Sequence, residues 1–124
     1  MHRLVEVFGK ATGIEIEVDY ANFPFDLREK GEFALYHFIQ EGLVNSFSHG
    51  KARKINVNFW SDEQKLQVSI EDDGIGVDTI VEGIGIHGMR ERLGMLGGTL
   101  DMDNVPNGFK IIARIPVQEE LWKS

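Results

Sequence analysis

Apolar residues recur along the first half of the chain with two different periods, and each period predicts an element. Residues 4–11 carry an amphipathic pattern that predicts a short helix ending near Gly13. Apolar and charged residues alternate over residues 14–20, as in a strand with one buried face. After a loop that contains Pro24, apolar residues return every three or four positions over residues 26–49. This spacing predicts a long helix that ends at Gly50.

The middle of the chain alternates in two further segments that predict a hairpin. Residues 55–60 and 66–70 each place apolar side chains at every second position. The polar residues 61–64 lie between them, so we expect antiparallel strands joined by a turn of four or five residues. A loop rich in glycine and aspartate then extends from residue 72 to about residue 85.

The last third of the chain contains one helical segment and a second hairpin. Helical spacing runs over residues 89–95 and stops at the glycines that follow. Residues 100–102 and 109–115 then predict two strands joined by a turn around Asn104–Asn107. The element order is therefore α-β-α-β-β-α-β-β. This order predicts an α+β fold, a two-layer sandwich in which helices cover one face of a mixed, mainly antiparallel sheet.

Composition limits the chain to one ordinary domain and narrows its partners. The 124 residues suffice for a single domain over 1–124, and 42% hydrophobic with 27% charged residues is typical of soluble globular proteins. Cysteine is absent, which excludes disulfides. The net charge is -7 and the densest basic patch, residues 51–54, is short, so we expect no binding to nucleic acid. We expect an intracellular domain, which can still hold an anion through backbone N–H groups and a metal.

Three polar residues, Glu41, Asn45 and His49, are spaced four apart in the long predicted helix and form one stripe. One interpretation is a solvated helix face. The other is a site for hydrated Mg²⁺ and phosphate, because Mg²⁺ prefers oxygen ligands and retains several waters. A zinc site is not favoured, because the His-Glu-x-x-His motif and a third soft ligand are both missing.

Two glycine-containing segments follow the predicted strands. Asp72 begins Asp-Asp-Gly-Ile-Gly directly after a strand; its carboxylate could accept a hydrogen bond from an exocyclic amine such as adenine N6, or the segment could be an ordinary Asp-Gly turn. Gly83, Gly85 and Gly88 precede a helix and could form an anion site with its free N–H groups. They match Gly-x-Gly-x-x-Gly literally, but a loop rather than a strand precedes them, and no Walker A motif occurs.

Together, in this order, the segments resemble the ATP-binding domain (Bergerat fold) shared by sensor histidine kinases, gyrase, a mismatch-repair ATPase and the ninety-kilodalton heat-shock chaperone. The likeness is greatest to kinases related to the nitrate and lipid-fluidity sensors. Residues 35–49 resemble the N-box helix, 72–77 the first glycine box, and 83–92 the short ATP lid with its following helix. Residues 97–100 and 108–116 resemble the closing strands.

The resemblance implies ATP and Mg²⁺ as cofactors and assigns roles. Asn45 would bind Mg²⁺, His49 would lie near the phosphates, and Glu41 matches the general base of the hydrolysing relatives. Asp72 would accept from adenine N6, helped by a water. The remaining expected nucleotide-binding residues belong to the glycine box and the lid: Gly74, Gly76, Val77, Gly83, Gly85, Ile86, Gly88 and Met89.

The resemblance also implies a reaction and partners. Such a kinase transfers the γ-phosphoryl of ATP to a histidine on a separate dimerisation hairpin, which then serves a response regulator. No histidine of this chain matches that acceptor, so we expect the chain to bind ATP as a monomer without phosphorylating itself. We expect it to be the cytoplasmic catalytic domain of a homodimeric, membrane-associated parent protein.

Two departures from the family pattern keep alternatives open. Ser48 stands where the kinases usually carry Lys or Arg, and Phe109 where the wider superfamily often has Thr. One alternative is a serine protein kinase of the anti-sigma type, which has the same fold and needs no hairpin. The other is a degenerate ATP-binding module that only docks a partner.

Overall fold

A computed structural model describes residues 2–21, 29–48, 52–74, 84–105 and 108–116. Within these ranges the elements follow the predicted order α-β-α-β-β-α-β-β, which confirms the expected fold class. The elements are α1 His2–Thr12, β1 Glu15–Ala21, α2 Glu29–Ser48, β2 Lys54–Ser61, β3 Lys65–Asp72, α3 Ile84–Met95, β4 Thr99–Val105 and β5 Gly108–Pro116.

The strands form one mixed sheet in the order β1-β2-β3-β5-β4. β1 and β2 are parallel, because α2 connects them by a crossover, and the other neighbouring pairs are antiparallel. Ser61 and Leu66 are the last pair of the first hairpin, so four residues lie between them, within the predicted length; the fourth, Lys65, already belongs to β3 through its pairing with Pro116. The Asp62 carboxylate accepts hydrogen bonds from the N–H groups of Gln64 and Lys65, at 2.7 and 2.8 Å, and thereby fixes this turn.

The core lies between the helices and one face of the sheet. Alternate residues of β2 and β3 are buried on that face, as their sequence period predicted. The three helices supply the second layer, and α2 contacts α1, α3, β3 and β5. The largest fully buried side chains are Phe38, Phe59, Leu35, Ile39, Leu43, Ile55, Leu66, Ile70, Met89, Leu93, Leu100 and Ile115.

Polar pairs occupy the opposite face of the sheet. Lys54 on β2 pairs with Glu17 on β1 at 3.3 Å. Arg114 on β5 pairs with Asp101 on β4 and donates to Gln67 on β3. Among the described residues no helix is both long enough and apolar enough to cross a membrane.

α2 packs closely on the centre of the sheet at Gly42. A Cβ at this position would approach Ile111 Cδ1 to 2.9 Å and would overlap Ile70 Cδ1 on β3. Because glycine lacks a Cβ, the helix backbone lies directly on these two strands. Its contact with β3 and β5 brings the second half of α2 near the end of β3.

The start of α3 differs from the sequence prediction. The helix begins at Ile84 rather than near Met89, so Gly85 and Gly88 lie within it and not in a loop before it. The sequence pattern did not predict a helix here, because each glycine inside a helix costs roughly 1 kcal/mol relative to alanine. The helix forms because Ile86, Met89 and Leu93 share one buried face at helical spacing.

The second hairpin is also tighter than expected. β4 continues to Val105, which pairs with Gly108, so the predicted turn around Asn104–Asn107 is too long. Asn104 pairs with Phe109 inside the ladder. Polar residues near a strand end resemble turn residues in sequence, whereas pairing with β5 extends the strand.

Candidate functional site

Asp72 lies at the end of β3, where the sheet and α2 meet. Asp72 lies on the same buried face of β3 as Leu66, Val68 and Ile70, and it is only 5% exposed. In the sheet it pairs with Ile55 on one side and Phe109 on the other. A carboxylate at such a position must be hydrogen-bonded, since burying an unpaired charge is costly.

The two oxygens of Asp72 have different partners. Oδ1 accepts from the backbone N–H of Gly74 at 2.9 Å and from that of Phe109 at 3.2 Å. Oδ2 accepts from the hydroxyl of Ser46 on α2 at 2.7 Å. A carboxylate offers about four acceptor positions. These donors among the described residues leave one acceptor position, on Oδ2, for a further donor such as an exocyclic amine.

Gly108 allows β5 to reach this carboxylate. A Cβ on Gly108 would overlap the carbonyl oxygen of Asp72 and come within 2.7 Å of its carbonyl carbon and 3.1 Å of Oδ1. The close approach positions the next residue, Phe109, so that its N–H donates to Oδ1. Phe109 stands where the wider superfamily often has Thr, and this difference lies in the side chain. The contact of Phe109 to Asp72 comes from its backbone N–H and does not depend on the side chain.

The neighbouring Asp73 has a structural role on the exposed side of the same turn. Its Oδ1 accepts from the N–H groups of Lys54 at 2.9 Å and Arg53 at 2.8 Å, at the start of β2. These backbone hydrogen bonds, that of Lys54 first, lower the pKa of Asp73 below its usual range. Asp73 therefore anchors the turn after β3, while Asp72 faces the core.

The stripe on α2 is only partly within the described residues. Glu41 and Asn45 lie one helical turn apart, and both are partly exposed. Their carboxylate and amide oxygens fit the ligand preference of Mg²⁺. In the described part of the chain no three His, Cys, Asp or Glu residues are grouped to hold a metal.

Part of the predicted lid belongs to α3, which begins at Ile84. Met89 is 1% exposed and Ile86 is buried, so both side chains pack in the core at the start of this helix. Gly88 is partly exposed, and a Cβ there would meet only the flexible end of Arg92 at 3.4 Å. The first backbone N–H groups of α3, including that of Gly85, have no partner within the helix by its geometry.

The model of one protein family matches residues 31–119, which is more than half of the chain. It describes the histidine kinase-, DNA gyrase B- and HSP90-like ATPases. The chain belongs to this family. The match covers α2, the turn at Asp72, α3 and the closing strands, and it confirms the resemblance found in the sequence.

Two relatives that resemble this chain are histidine kinases by name. The chain is 33% identical over 124 residues to the signal transduction histidine-protein kinase/phosphatase DegS of Brevibacillus brevis, covering 97% of this chain and 32% of that protein. It is 31% identical over 115 residues to the sensor histidine kinase MctS of Rhizobium johnstonii, covering 88% of this chain and 25% of that protein. The chain thus spans about a quarter to a third of these relatives.

A solved structure supports the fold. The histidine kinase domain of the blue-light activated histidine kinase EL346 from Erythrobacter litoralis superposes with a TM-score of 0.75 at 21% identity. The overlap covers 96% of this chain and 60% of that one. The likeness confirms the two-layer architecture of the ATPase family.

Sequence reasoning named most of the site but not all of it. His49, Gly76, Val77 and Gly83 lie outside the described residues, and the roles of all the named residues stay predictions. Ser46 and Gly108 were missed as contributors to the Asp72 site. Ser46 had a signal, because it follows Ile39, Gly42 and Leu43 on the buried side of α2. A polar residue on an apolar stripe needs a partner.

Proposed function

We propose that this chain binds Mg²⁺-ATP as the catalytic domain of a two-component sensor histidine kinase. The γ-phosphoryl group of the bound ATP is then transferred to a histidine on a separate dimerisation domain. The observation that carries the proposal is the hydrogen bonding of Asp72. Its carboxylate is buried, and the three donors found among the described residues leave an acceptor position on Oδ2. The exocyclic N6 amine of adenine is a donor that this position can bind.

The phosphate end of ATP would lie along α2 and the start of α3. Asn45 and Glu41 present oxygens on α2, and the N–H groups at the start of α3, which have no partner within the helix, suit an anion. Mg²⁺, held by Asn45 and the phosphates, would neutralise negative charge that builds up during phosphoryl transfer. Since this chain has a net charge of -7, it would depend on such neutralisation more than a basic domain would.

The transfer itself requires a second domain. A nitrogen of the acceptor imidazole would bond to the γ-phosphorus while the bond to the bridging oxygen breaks and ADP leaves. In the parent kinase a response regulator would then take the phosphoryl group from that histidine. We place this domain on the cytoplasmic side of a membrane-anchored dimer, where ATP is available, and expect the isolated chain to be a monomer.

Calorimetry with Mg²⁺-ATP and Mg²⁺-ITP tests the adenine assignment, because ITP presents a 6-keto acceptor instead of the amine. In Asp72→Asn the two backbone N–H groups should keep the amide oxygen at the Oδ1 position. The amide NH₂ then replaces Oδ2 and turns the acceptor into a donor. We expect the wild type to prefer ATP by about 10- to 100-fold, as for a hydrogen bond to a charged group.

The Asp72→Asn variant should lose that preference and bind ITP at least as well as ATP. Asp101→Asn, which removes a carboxylate from the opposite face of the sheet, is the matched control and should bind like the wild type. Unchanged ATP affinity in Asp72→Asn would contradict the assignment of this carboxylate to adenine.

The phosphoryl acceptor is tested separately. The chain is mixed with the dimeric helical hairpin of a related kinase and γ-labelled ATP, and the labelled hairpin is treated with acid. Phosphohistidine is acid-labile, so loss of the label supports the kinase proposed here, whereas an acid-stable label indicates a serine kinase. Tight ATP binding without any transfer would favour a module that only docks its partner.

A further inference from the structure

We propose that Ser46 is a positioning residue that selects nucleotides with a 6-amino group, by orienting the acceptor position on Oδ2 of Asp72 that the donors among the described residues leave open. The proposal rests on the proposed ATP function. Ser46 would not contact the nucleotide itself and would act on it by holding Asp72. The observation behind it is the 2.7 Å hydrogen bond from the Ser46 hydroxyl to Oδ2, the oxygen that keeps an acceptor position.

The bond is long-range, although a local partner was available. A serine inside a helix commonly donates to the carbonyl four residues earlier, which here belongs to Gly42. Ser46 instead donates to a carboxylate 26 residues further along the chain, on a different element. The bond is also protected from water, because Ser46 and Asp72 are each only 5% exposed. This hydrogen bond therefore restrains the conformation of the Asp72 side chain.

The hydroxyl of Ser46 and the two backbone N–H groups hold opposite oxygens of Asp72. Turning about the Cβ–Cγ bond moves both oxygens together, because the carboxylate is planar, and this torsion is broad in aspartate. The two N–H groups restrain it through Oδ1, one of them at 3.2 Å. The Ser46 hydroxyl restrains it at Oδ2, the oxygen that carries the acceptor position proposed for the amine. Oδ2 therefore presents that position over a narrower range of directions, which discrimination between an amine and no amine requires.

Ser46 also links the two ends of the proposed pocket. It is the residue after Asn45, so one peptide unit joins the amide assigned to Mg²⁺ and the hydroxyl that holds the adenine acceptor. The carbonyl of Ser46 accepts from the N–H of Ala52 at 3.2 Å, which fixes the exit of α2. The separation between the two groups is therefore set by the helix backbone.

The experiment compares ATP with purine riboside triphosphate, which differs from ATP only in lacking the 6-amino group. Affinities of both, as Mg²⁺ complexes, are measured by calorimetry for the wild type, Ser46→Ala and Ser69→Ala. Ser69 is a matched control, since it is an equally buried serine on β3, three residues before Asp72 and on the other face of the sheet. Thermal unfolding of each variant monitors the fold.

We expect the wild type to prefer ATP over the purine analogue by roughly 10- to 100-fold, the range of a hydrogen bond to a charged group. Ser46→Ala should reduce this preference by about 3- to 10-fold and leave the affinity for the analogue nearly unchanged, because only the amine uses Oδ2. Ser69→Ala should keep the wild-type preference. A purely structural Ser46 would weaken both nucleotides together, so a preserved preference in Ser46→Ala overturns the proposal.

Two further variants guard against misfolding. Ser46→Thr keeps the hydroxyl and should keep the wild-type preference, while Ser46→Cys keeps the volume with a weak donor and should give an intermediate preference. A cysteine variant with the full wild-type preference also overturns the proposal. If the wild type binds neither nucleotide, or both equally, the adenine assignment of Asp72 fails and the role of Ser46 fails with it. A wild type that discriminates while Ser46→Ala does so equally well contradicts only the role of Ser46.

Discussion

Replacing Gly108 by alanine tests the close approach of β5 to Asp72. The added Cβ would overlap the carbonyl oxygen of Asp72 and lie 2.7 Å from its carbonyl carbon. Both are backbone atoms of a strand that is paired on its two sides, so they cannot move alone. The overlap is relieved only if β5 moves away from β3 at this point.

The cost combines overpacking with a lost hydrogen bond. Overpacking in a well-packed interior costs about 1–3 kcal/mol, and a rigid backbone neighbour places this case near the upper limit. Moving β5 also breaks the hydrogen bond from Phe109 N–H to Asp72 Oδ1, which is worth about 1.5–3 kcal/mol because the acceptor is charged. We therefore expect a loss of about 4.5–6 kcal/mol in the free energy of unfolding, a large share of the 5–15 kcal/mol typical of a domain.

Equilibrium unfolding in urea, followed by circular dichroism, measures the effect. With an m-value of about 2 kcal/mol per molar, the midpoint of Gly108→Ala should fall by about 2–3 M. Gly94→Ala is the control, because a Cβ at Gly94 on α3 meets nothing within 4 Å. That variant should gain about 0.5–1 kcal/mol from reduced backbone entropy. A Gly108→Ala protein within 1 kcal/mol of the wild type would refute the reasoning.

Three further predictions follow from other parts of the fold. Gly42→Ala should cost about 1–3 kcal/mol in urea unfolding, less than Gly108→Ala, because its Cβ meets the ends of isoleucine side chains that can shift. The pKa of Asp73 is lowered in the folded chain, so its contribution to stability is present above the unfolded pKa of about 3.9 and is lost as the pH falls through the folded value. Asp73→Ala should therefore destabilise the chain at pH 7 by about 1 kcal/mol, discounted for exposure, and show a shallower loss of stability below about pH 4; equal acid sensitivity of variant and wild type would contradict this. Glu41→Gln should slow transfer to the hairpin by about 10²-fold or more without changing ATP affinity if Glu41 accepts the imidazole proton, whereas unchanged transfer assigns Glu41 to the solvated face.

The fold could be predicted wherever apolar residues repeat with a period that follows directly from which face of the element is buried. β2 and β3 alternate because one face of each is covered by helices, and a short turn between them leaves an antiparallel hairpin as the simplest arrangement. α3 was predicted only in its second half. Its glycines have low helix propensity, and the burial that overrides this propensity comes from contacts with α2, β4 and β5. Those contacts are properties of the packed molecule rather than of the segment.

The candidate site divides in the same way. Asp72 could be named from the sequence, because an aspartate and glycines directly after a strand form a local pattern. The N–H of Gly74 belongs to the same local pattern, but two other donors could not be named, since they come from Ser46 on α2 and from Phe109 on β5, 26 and 37 residues away. Only the packing of Gly42 on the sheet and the pairing of β3 with β5 bring these groups to one carboxylate.

The two oxygens of Asp72 separate stability from recognition. Oδ1 is bound by backbone N–H groups, which no side-chain substitution can remove without moving the turn or β5. Among the described residues Oδ2 accepts from the side chain of Ser46, and it carries the acceptor position proposed for the adenine amine. Changes that act through Oδ1, such as Gly108→Ala, should therefore lower stability and ATP affinity together. Changes that act through Oδ2 should alter the choice of nucleotide at a much smaller cost in stability, since the backbone contacts that join β3 to β5 remain in place.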